Sequence, residues 1–290
     1  MQVLVLGAGF SGKAIAQAFM AKGAEVAGTT RTQEKADALA ALGIAPLLYD
    51  GSEISADLAA LMRATTHLVQ SIAPGKEGDP LFRPGTAPLE ALMPNLEWAA
   101  YLSTVGVYGD HQGAWVDEDT DLNPVSTRSI ERVDAENRWL GLGETRGLPV
   151  SVMRLSGIYG PGRNAFCNIE DGKARRLIKK DQVFNRIRVE DIGRAAVFLA
   201  DNRLGGIYNI TDDEPAPPQD VVEEAARLMG AEMPPEIPFE TAELSPMARS
   251  FYGENKRVSN ARLRGLGFRF HYPNYRVSLA DLWQSGNWRG

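Results

Sequence analysis

The stretch from Val3 to Thr29 restricts the fold more than any other part of this 290-residue chain. Val3-Leu4-Val5-Leu6 is a short apolar run ended by glycine, the pattern of a strand buried on both faces in a parallel sheet. Gly7-Ala8-Gly9-Phe10-Ser11-Gly12 follows at once. Residues 13–22, with Ala14, Ile15, Ala18 and Phe19 at helical spacing, read as a helix stopped by Gly23, and 25–29 read as a second strand. A G-x-G-x-x-G pattern is weak alone, but between a strand and a helix it is specific for a dinucleotide. Gly7 permits the tight turn, Gly9 lets backbone approach a pyrophosphate, and Gly12 lets helix pack on strand. The unpaired amides that open the helix, around Phe10 and Ser11, then hold the negative charge.

An NAD site of this kind places an acid near the end of the second strand, where it binds the ribose 2′-hydroxyl. Here that position reads Thr29-Thr30-Arg31-Thr32, with no acid. Arg31 can make charge-assisted hydrogen bonds to a 2′-phosphate, with Thr30 or Thr32 adding hydroxyls. The expected cofactor is therefore NADP, with NAD as the alternative if Arg31 is only a solvated loop residue.

Strand-like and helix-like segments go on alternating: helix near 32–42, strand 46–49, helix near 55–64, strand 67–71, helix around 89–93 and strand 98–103. A longer helix near 129–140 and a strand at 149–155 complete the series. Such alternation predicts an α/β fold, a doubly wound parallel sheet with helices on both faces. After Gly160 the regularity fades into Pro- and Arg-rich segments and a helix near 219–229. The expected division is a dinucleotide-binding domain over 1–158, with 184–211 returning to it. A smaller substrate lobe over 159–183 and 212–290 closes over the carboxyl ends of the strands.

Composition narrows function by exclusion. Lys plus Arg number 31 against 37 for Asp plus Glu, a net charge of −6 that draws the chain neither to nucleic acid nor to anionic lipid. A single cysteine, Cys167, and three scattered histidines, His67, His111 and His271, leave no metal-ligating cluster to expect. No apolar run approaches the roughly 20 residues that span a bilayer. The first residues enter a strand without a basic leader, so the expected location is the cytoplasm.

By residue 103 the chain resembles a known family. Leu102-Ser103-Thr104-Val105-Gly106-Val107-Tyr108-Gly109-Asp110 is similar to the fifth-strand segment of extended short-chain dehydrogenases/reductases, the nucleotide-sugar epimerase and dehydratase group. So are Val116-Asp117-Glu118-Asp119-Thr120 and Asn123-Pro124, Arg154 through Tyr159-Gly160-Pro161-Gly162-Arg163, and Tyr208-Asn209-Ile210. Residues 184–191 resemble that family's FxxxHVxD stretch, with Arg188 where histidine is usual. The resemblance implies a nicotinamide cofactor, a small-molecule substrate and a homodimer. It also implies that Asp50 contacts adenine, that Ser71 lies beside the nicotinamide ribose, and that Thr104, with Ser103 beside it, orients the substrate oxygen.

One departure outweighs the matches. The family's proton transfer rests on Tyr-x-x-x-Lys in the helix after strand five, and the alignment puts Arg128 and Arg132 at those positions. Arginine keeps its proton at neutral pH and cannot replace that tyrosine. Arg132 could still bind ribose hydroxyls. Arg128 could bind an anionic substrate group or pair with Glu131 or Asp134 on its own helix. The pattern resembles the atypical branch of the extended family. Tyr108, Tyr159 and Tyr252 are substitute proton carriers, the last within a literal Tyr252-x-x-x-Lys256, if a cation such as Arg163, Arg186 or Arg188 lies near. Arg163 and Arg186 join Arg128 as candidates for an anionic, sugar-like substrate. Two functions fit: an NADP-dependent oxidoreductase or epimerase-like enzyme, and a noncatalytic redox-sensing protein that binds NADP(H).

Overall fold

The computed structural model describes residues 1–290, the side chain of Met247 excepted. Strands run β1 Gln2–Leu6, β2 Glu25–Thr30, β3 Ala45–Leu48, β4 His67–Gln70, β5 Trp98–Thr104, β6 Trp115–Val116, β7 Val150–Leu155, β8 Gly157–Tyr159, β9 Arg176–Ile178, β10 Arg186–Arg188, β11 Gly206–Ile210, β12 Glu236–Pro238 and β13 Arg257–Val258. Helices run α1 Phe10–Met20, α2 Gln33–Ala41, α3 Ala56–Ala64, α4 Leu89–Leu92, α5 Thr127–Arg146, α6 Ala165–Glu170, α7 Val189–Asp201, α8 Pro218–Met229, α9 Pro246–Phe251, α10 Ala261–Gly265 and α11 Tyr275–Gln284.

Among the described residues seven strands form one parallel sheet in the order β11-β7-β5-β4-β1-β2-β3, flanked by helices. The chain builds outward from β1 to β3, then crosses back to lay β4 on the other side of β1. Val3 therefore pairs with Val26 on one side and His67 on the other. That reversal is the topological switch point, where sheets of this class bind ligands beyond the carboxyl ends of their strands.

The described residues divide into two compact units: 1–107 with 124–154 and 192–208, and 108–123 with 155–191 and 209–290. Residues 108–123, 155–158, 184–191 and 209–211 group with the second unit, whereas the expected division puts them with the first. Pairing accounts for the grouping: β6 pairs with β13, Glu118 accepts the Asn209 amide at 2.8 Å, and β10 pairs with β8. Each unit has its own core. The first packs Leu4, Leu6, Met62, Tyr101, Trp139 and Val152, and the second packs Phe166, Ala225, Tyr275, Leu279 and Trp288.

Local chemistry sets the helix ends. Thr32, Ser55, Ser126, Asn164 and Asn274 each cap a helix by accepting a backbone amide. α5 outruns the expected 129–140 because Gly141 and Gly143 look like breakers in the sequence. Gly143 is instead a packing residue, since a Cβ there would sit 2.9 Å from Leu148 O. No helix among the described residues is long and apolar enough to cross a membrane.

Candidate functional site

The turn between β1 and α1 has the three properties the glycine spacing predicts. Gly7 adopts φ +86°, and its N–H donates to Thr29 Oγ1 at 2.8 Å, which pins the turn to β2. A Cβ at Gly12 would meet Gly7 O at 2.7 Å, so only glycine lets α1 lie this close to the turn. A Cβ at Gly9 would meet nothing within 4 Å; this exposed face is open. No side chain caps α1 and its first turn carries no acid, so Phe10, Ser11 and Gly12 open the helix with its positive end undisturbed. A buried Thr29 was not singled out from sequence, where it read only as a strand residue.

Arg31 stands exposed at the carboxyl end of β2, after half-buried Thr30, with no hydrogen bond or ion pair among the described residues. Its neighbour Thr32 is occupied as the α2 cap. Asp50 is exposed, and its Oδ1 accepts from the amide and hydroxyl of Ser52 at 2.9 and 2.5 Å. Those hydrogen bonds hold its carboxyl below the usual range. Ser71 follows β4, its amide donating to Leu6 O at 2.9 Å, and a Cβ on Gly7 would touch the backbone here. The loop beyond is fixed by buried Asp79, which accepts from Gln70 Nε2 (2.8 Å), the Leu81 amide (2.9 Å) and Trp139 Nε1 (3.1 Å).

At the end of β5 strand alternation separates two neighbouring hydroxyls. Ser103 points inward, and its hydroxyl donates to Glu136, which also holds buried Arg154 through Nε at 3.2 Å and NH2 at 2.7 Å. Ser103 is a framework residue, a correction to its expected place at the cofactor. Thr104 is half-exposed on the opposite side, its Oγ1 accepting from the Gly106 amide at 3.1 Å. Ser129, which the sequence reading missed, joins it. A Cβ on Gly106 would lie 3.1 Å from Ser129 Oγ and 3.4 Å from Thr104 Oγ1, and Ser129 Oγ is 2.8 Å from Ser126 Oγ.

The two α5 arginines part company. Arg132 NH1 donates to Leu102 O and reaches Tyr101 Oη at 3.4 Å, over the end of β5. Arg128 is exposed and makes no ion pair among the described residues; Asp134, one of its two expected partners, pairs with Arg138 at 3.0 Å.

The remaining candidates belong to the second unit. Tyr108 is fully buried and its hydroxyl donates to Asn209 Oδ1 at 2.8 Å. It braces β11 and has no free face for proton transfer, which corrects its expected catalytic place. Tyr252 is buried between Phe239 and Phe184, and burial raises its phenol despite the opposing charge of Arg186. Lys256 does not serve it: its ammonium contacts Gly109 O at 2.6 Å and Glu254 at 2.5 Å. Arg188, in the histidine position, is buried and ties Glu190 to Ser278 of α11. Arg163 is exposed on a loop closed by Gly160 and fastened by Trp288 O, which accepts from the Gly162 amide at 2.9 Å. Arg186 donates from NH1 to Phe184 O and Ala216 O at 2.9 and 3.0 Å.

Comparison with known proteins fits this geometry. The sequence model of the NAD dependent epimerase/dehydratase family matches residues 89–211. Protein YeeZ of Escherichia coli K12 is 32% identical, over 94% of this chain and 97% of that one. A functionally unknown conserved protein from Silicibacter pomeroyi is 44% identical, with a TM-score of 0.89 and coverage of 98% and 99%. Human epimerase family protein SDR39U1, solved with NADPH, shares the fold at a TM-score of 0.73 and 18% identity, with coverage of 98% and 99%.

Proposed function

Because this chain belongs to the NAD-dependent epimerase/dehydratase family, we propose that it is an NADP-dependent oxidoreductase or epimerase-like enzyme acting on a polar small molecule. The observation that carries the reading is the β1–α1 turn, closed at Gly12 and open at Gly9, because only a group approaching the backbone itself needs that combination. Gly7, Gly9, Phe10, Ser11 and Gly12 would hold the pyrophosphate, and Ser71 would lie beside the nicotinamide-side ribose. Exposed Arg31, unpaired among the described residues, would receive a 2′-phosphate with Thr30; solved proteins of this fold hold NADPH in one case and NAD in others, so Arg31 alone carries the preference. When bound, the dinucleotide gives a hydride to a substrate carbon or takes one from it.

The chain's own residues then manage charge. Thr104 donates a hydrogen bond to the substrate oxygen, and Ser129 and Ser126 extend that hydroxyl group along α5. Arg128 cannot carry a proton, so it would take over only the electrostatic part of the family tyrosine's work, stabilising negative charge on that oxygen while solvent water, which reaches exposed Arg128, supplies or takes up the proton. The same replacement favours a second reading, an NADP(H)-binding regulatory protein without turnover.

A single set of titrations and assays separates these. NADPH should bind more tightly than NADH, and Arg31→Ala should weaken NADPH by about tenfold, the worth of one or two charge-assisted hydrogen bonds, while leaving NADH unchanged. A panel of alcohols, ketones and sugars followed by NADPH absorbance should reveal turnover that Thr104→Val lowers. Equal affinities unaffected by Arg31→Ala would remove the NADP preference. NADPH binding with no turnover across the panel would leave the regulatory reading.

A further inference from the structure

Four observations meet around Arg186 in the second unit. Its guanidinium is held at one end only: NH1 is engaged by Phe184 O and Ala216 O, while Nε and NH2 make no hydrogen bond. Asp212 is its backbone neighbour, donating its amide to Arg186 O at 2.8 Å, yet the two side chains form no ion pair among the described residues. Asp212 is 2% exposed; its Oδ1 accepts from the Glu214 amide at 3.2 Å, and its Oδ2 is buried with no partner. Tyr159 Oη is likewise buried, with no partner at full hydrogen-bond geometry; Ser278 is the side chain that approaches it, and it lies within the field of both Arg186 and Asp212.

Unsatisfied buried polar atoms cost a fold stability and are uncommon. Their collection around one half-used arginine marks a place where a ligand, rather than the protein, supplies the missing partners. We propose that this is a carboxylate-binding site, which takes a small organic acid bearing a hydroxyl or ammonium group close to its carboxylate.

The chemistry selects that class. Nε and NH2 are the parallel donors of the guanidinium edge and match the two oxygens of a planar carboxylate. Tyr159 adds a third donor. Asp212 Oδ2 lacks a partner, which a ligand hydroxyl supplies to the acid and an ammonium to the carboxylate. Asp220 also lies within the field of Arg186, and its negative charge opposes a phosphate dianion about twice as strongly as a carboxylate monoanion. Phe184 stands 5.9 Å from the guanidinium and gives the site an apolar wall. The proposal concerns the second unit by itself and does not depend on the oxidoreductase reading above.

Calorimetric titration of the full-length protein tests it, with D-glycerate, 4-hydroxymandelate, L-serine and L-tyrosine as probes and inorganic phosphate as control. At least one hydroxy- or amino-carboxylate should bind, and phosphate should bind at least about tenfold more weakly. The hydroxy and amino arms tell the two donors apart. Tyr159→Phe should weaken the carboxylate about fivefold or more while leaving the melting temperature of the free protein unchanged or raised, because the hydroxyl it removes has no partner. Arg186→Lys, which keeps charge but loses the fork, should weaken it further. Neither variant should alter NADPH affinity. Absence of binding by all four acids, equal binding of phosphate, or full affinity in Tyr159→Phe would each overturn the proposal. NADPH that fails to bind while the acids still do would instead overturn the dinucleotide reading alone.

Discussion

Single atoms decide the dinucleotide turn, and two glycines in it make opposite predictions. Gly9→Ala adds a methyl to open space, so the variant should fold and melt like the parent while NADPH binding falls by about tenfold or more, since the methyl occupies the pyrophosphate's approach. Gly12→Ala drives a methyl to 2.7 Å from Gly7 O, and should lower the melting temperature as well as abolish binding. Thermal melts beside fluorescence titrations with NADPH distinguish them; an unstable Gly9→Ala would contradict the open face. At this scale the sequence was legible wherever a spacing carried the physics. The roles of Gly7, Gly9 and Gly12 followed from order alone. It was not legible where two adjacent residues share a chemistry: Ser103 and Thr104 read alike, and only the pleat of β5 sends one hydroxyl to Glu136 and leaves the other toward Ser129. The bracing contact of Tyr108 was not legible for another reason: its partner Asn209 is about a hundred residues away along the chain.

Among the elements, α5 does most to connect sheet and site. Its inward face sends Glu136 to Ser103 of β5 and Arg154 of β7, while one turn earlier Arg132 reaches Leu102 O and Ser129 nears Thr104. Both members of the Glu136–Arg154 pair are almost fully buried, so removing one strands the other's charge. Glu136→Ala should therefore cost about 3–5 kcal/mol in urea unfolding, and the double variant Glu136→Leu with Arg154→Met should recover much of it. A single variant no less stable than the parent would show that the pair adds nothing to the frame. The existence and type of α5 were readable from its place in the alternation of strand and helix. Its last turns were not, because a glycine required by close packing and a glycine that ends a helix look the same in sequence.

At the scale of the whole molecule, buried carboxyls set how stability answers to pH. Burial raises Asp212 well above the ordinary carboxylate value of about 4, against the lowering pull of Arg186 and with Asp213 and Glu214 adding to the rise. The unfolded chain gives up this proton near that ordinary value while the folded chain keeps it to higher pH. In that interval the unfolded state binds fewer protons, so the group's contribution to stability falls as pH rises and levels off above the folded value. Asp212→Asn should flatten this fall, leaving a residue of slope from Asp79 and Glu118, which burial also raises. Urea midpoints across mildly acidic to neutral pH measure it, and an unchanged slope would mean Asp212 is ionised in the fold. The alternation of strand and helix made the sheet readable, whereas the division into units depends on remote pairings such as β6 with β13 that no local pattern announces. The second unit is gathered from three stretches, 108–123, 155–191 and 209–290, threaded through the first. No single cut along the chain therefore separates the two units, and moving the second one whole into another protein would take three coordinated grafts.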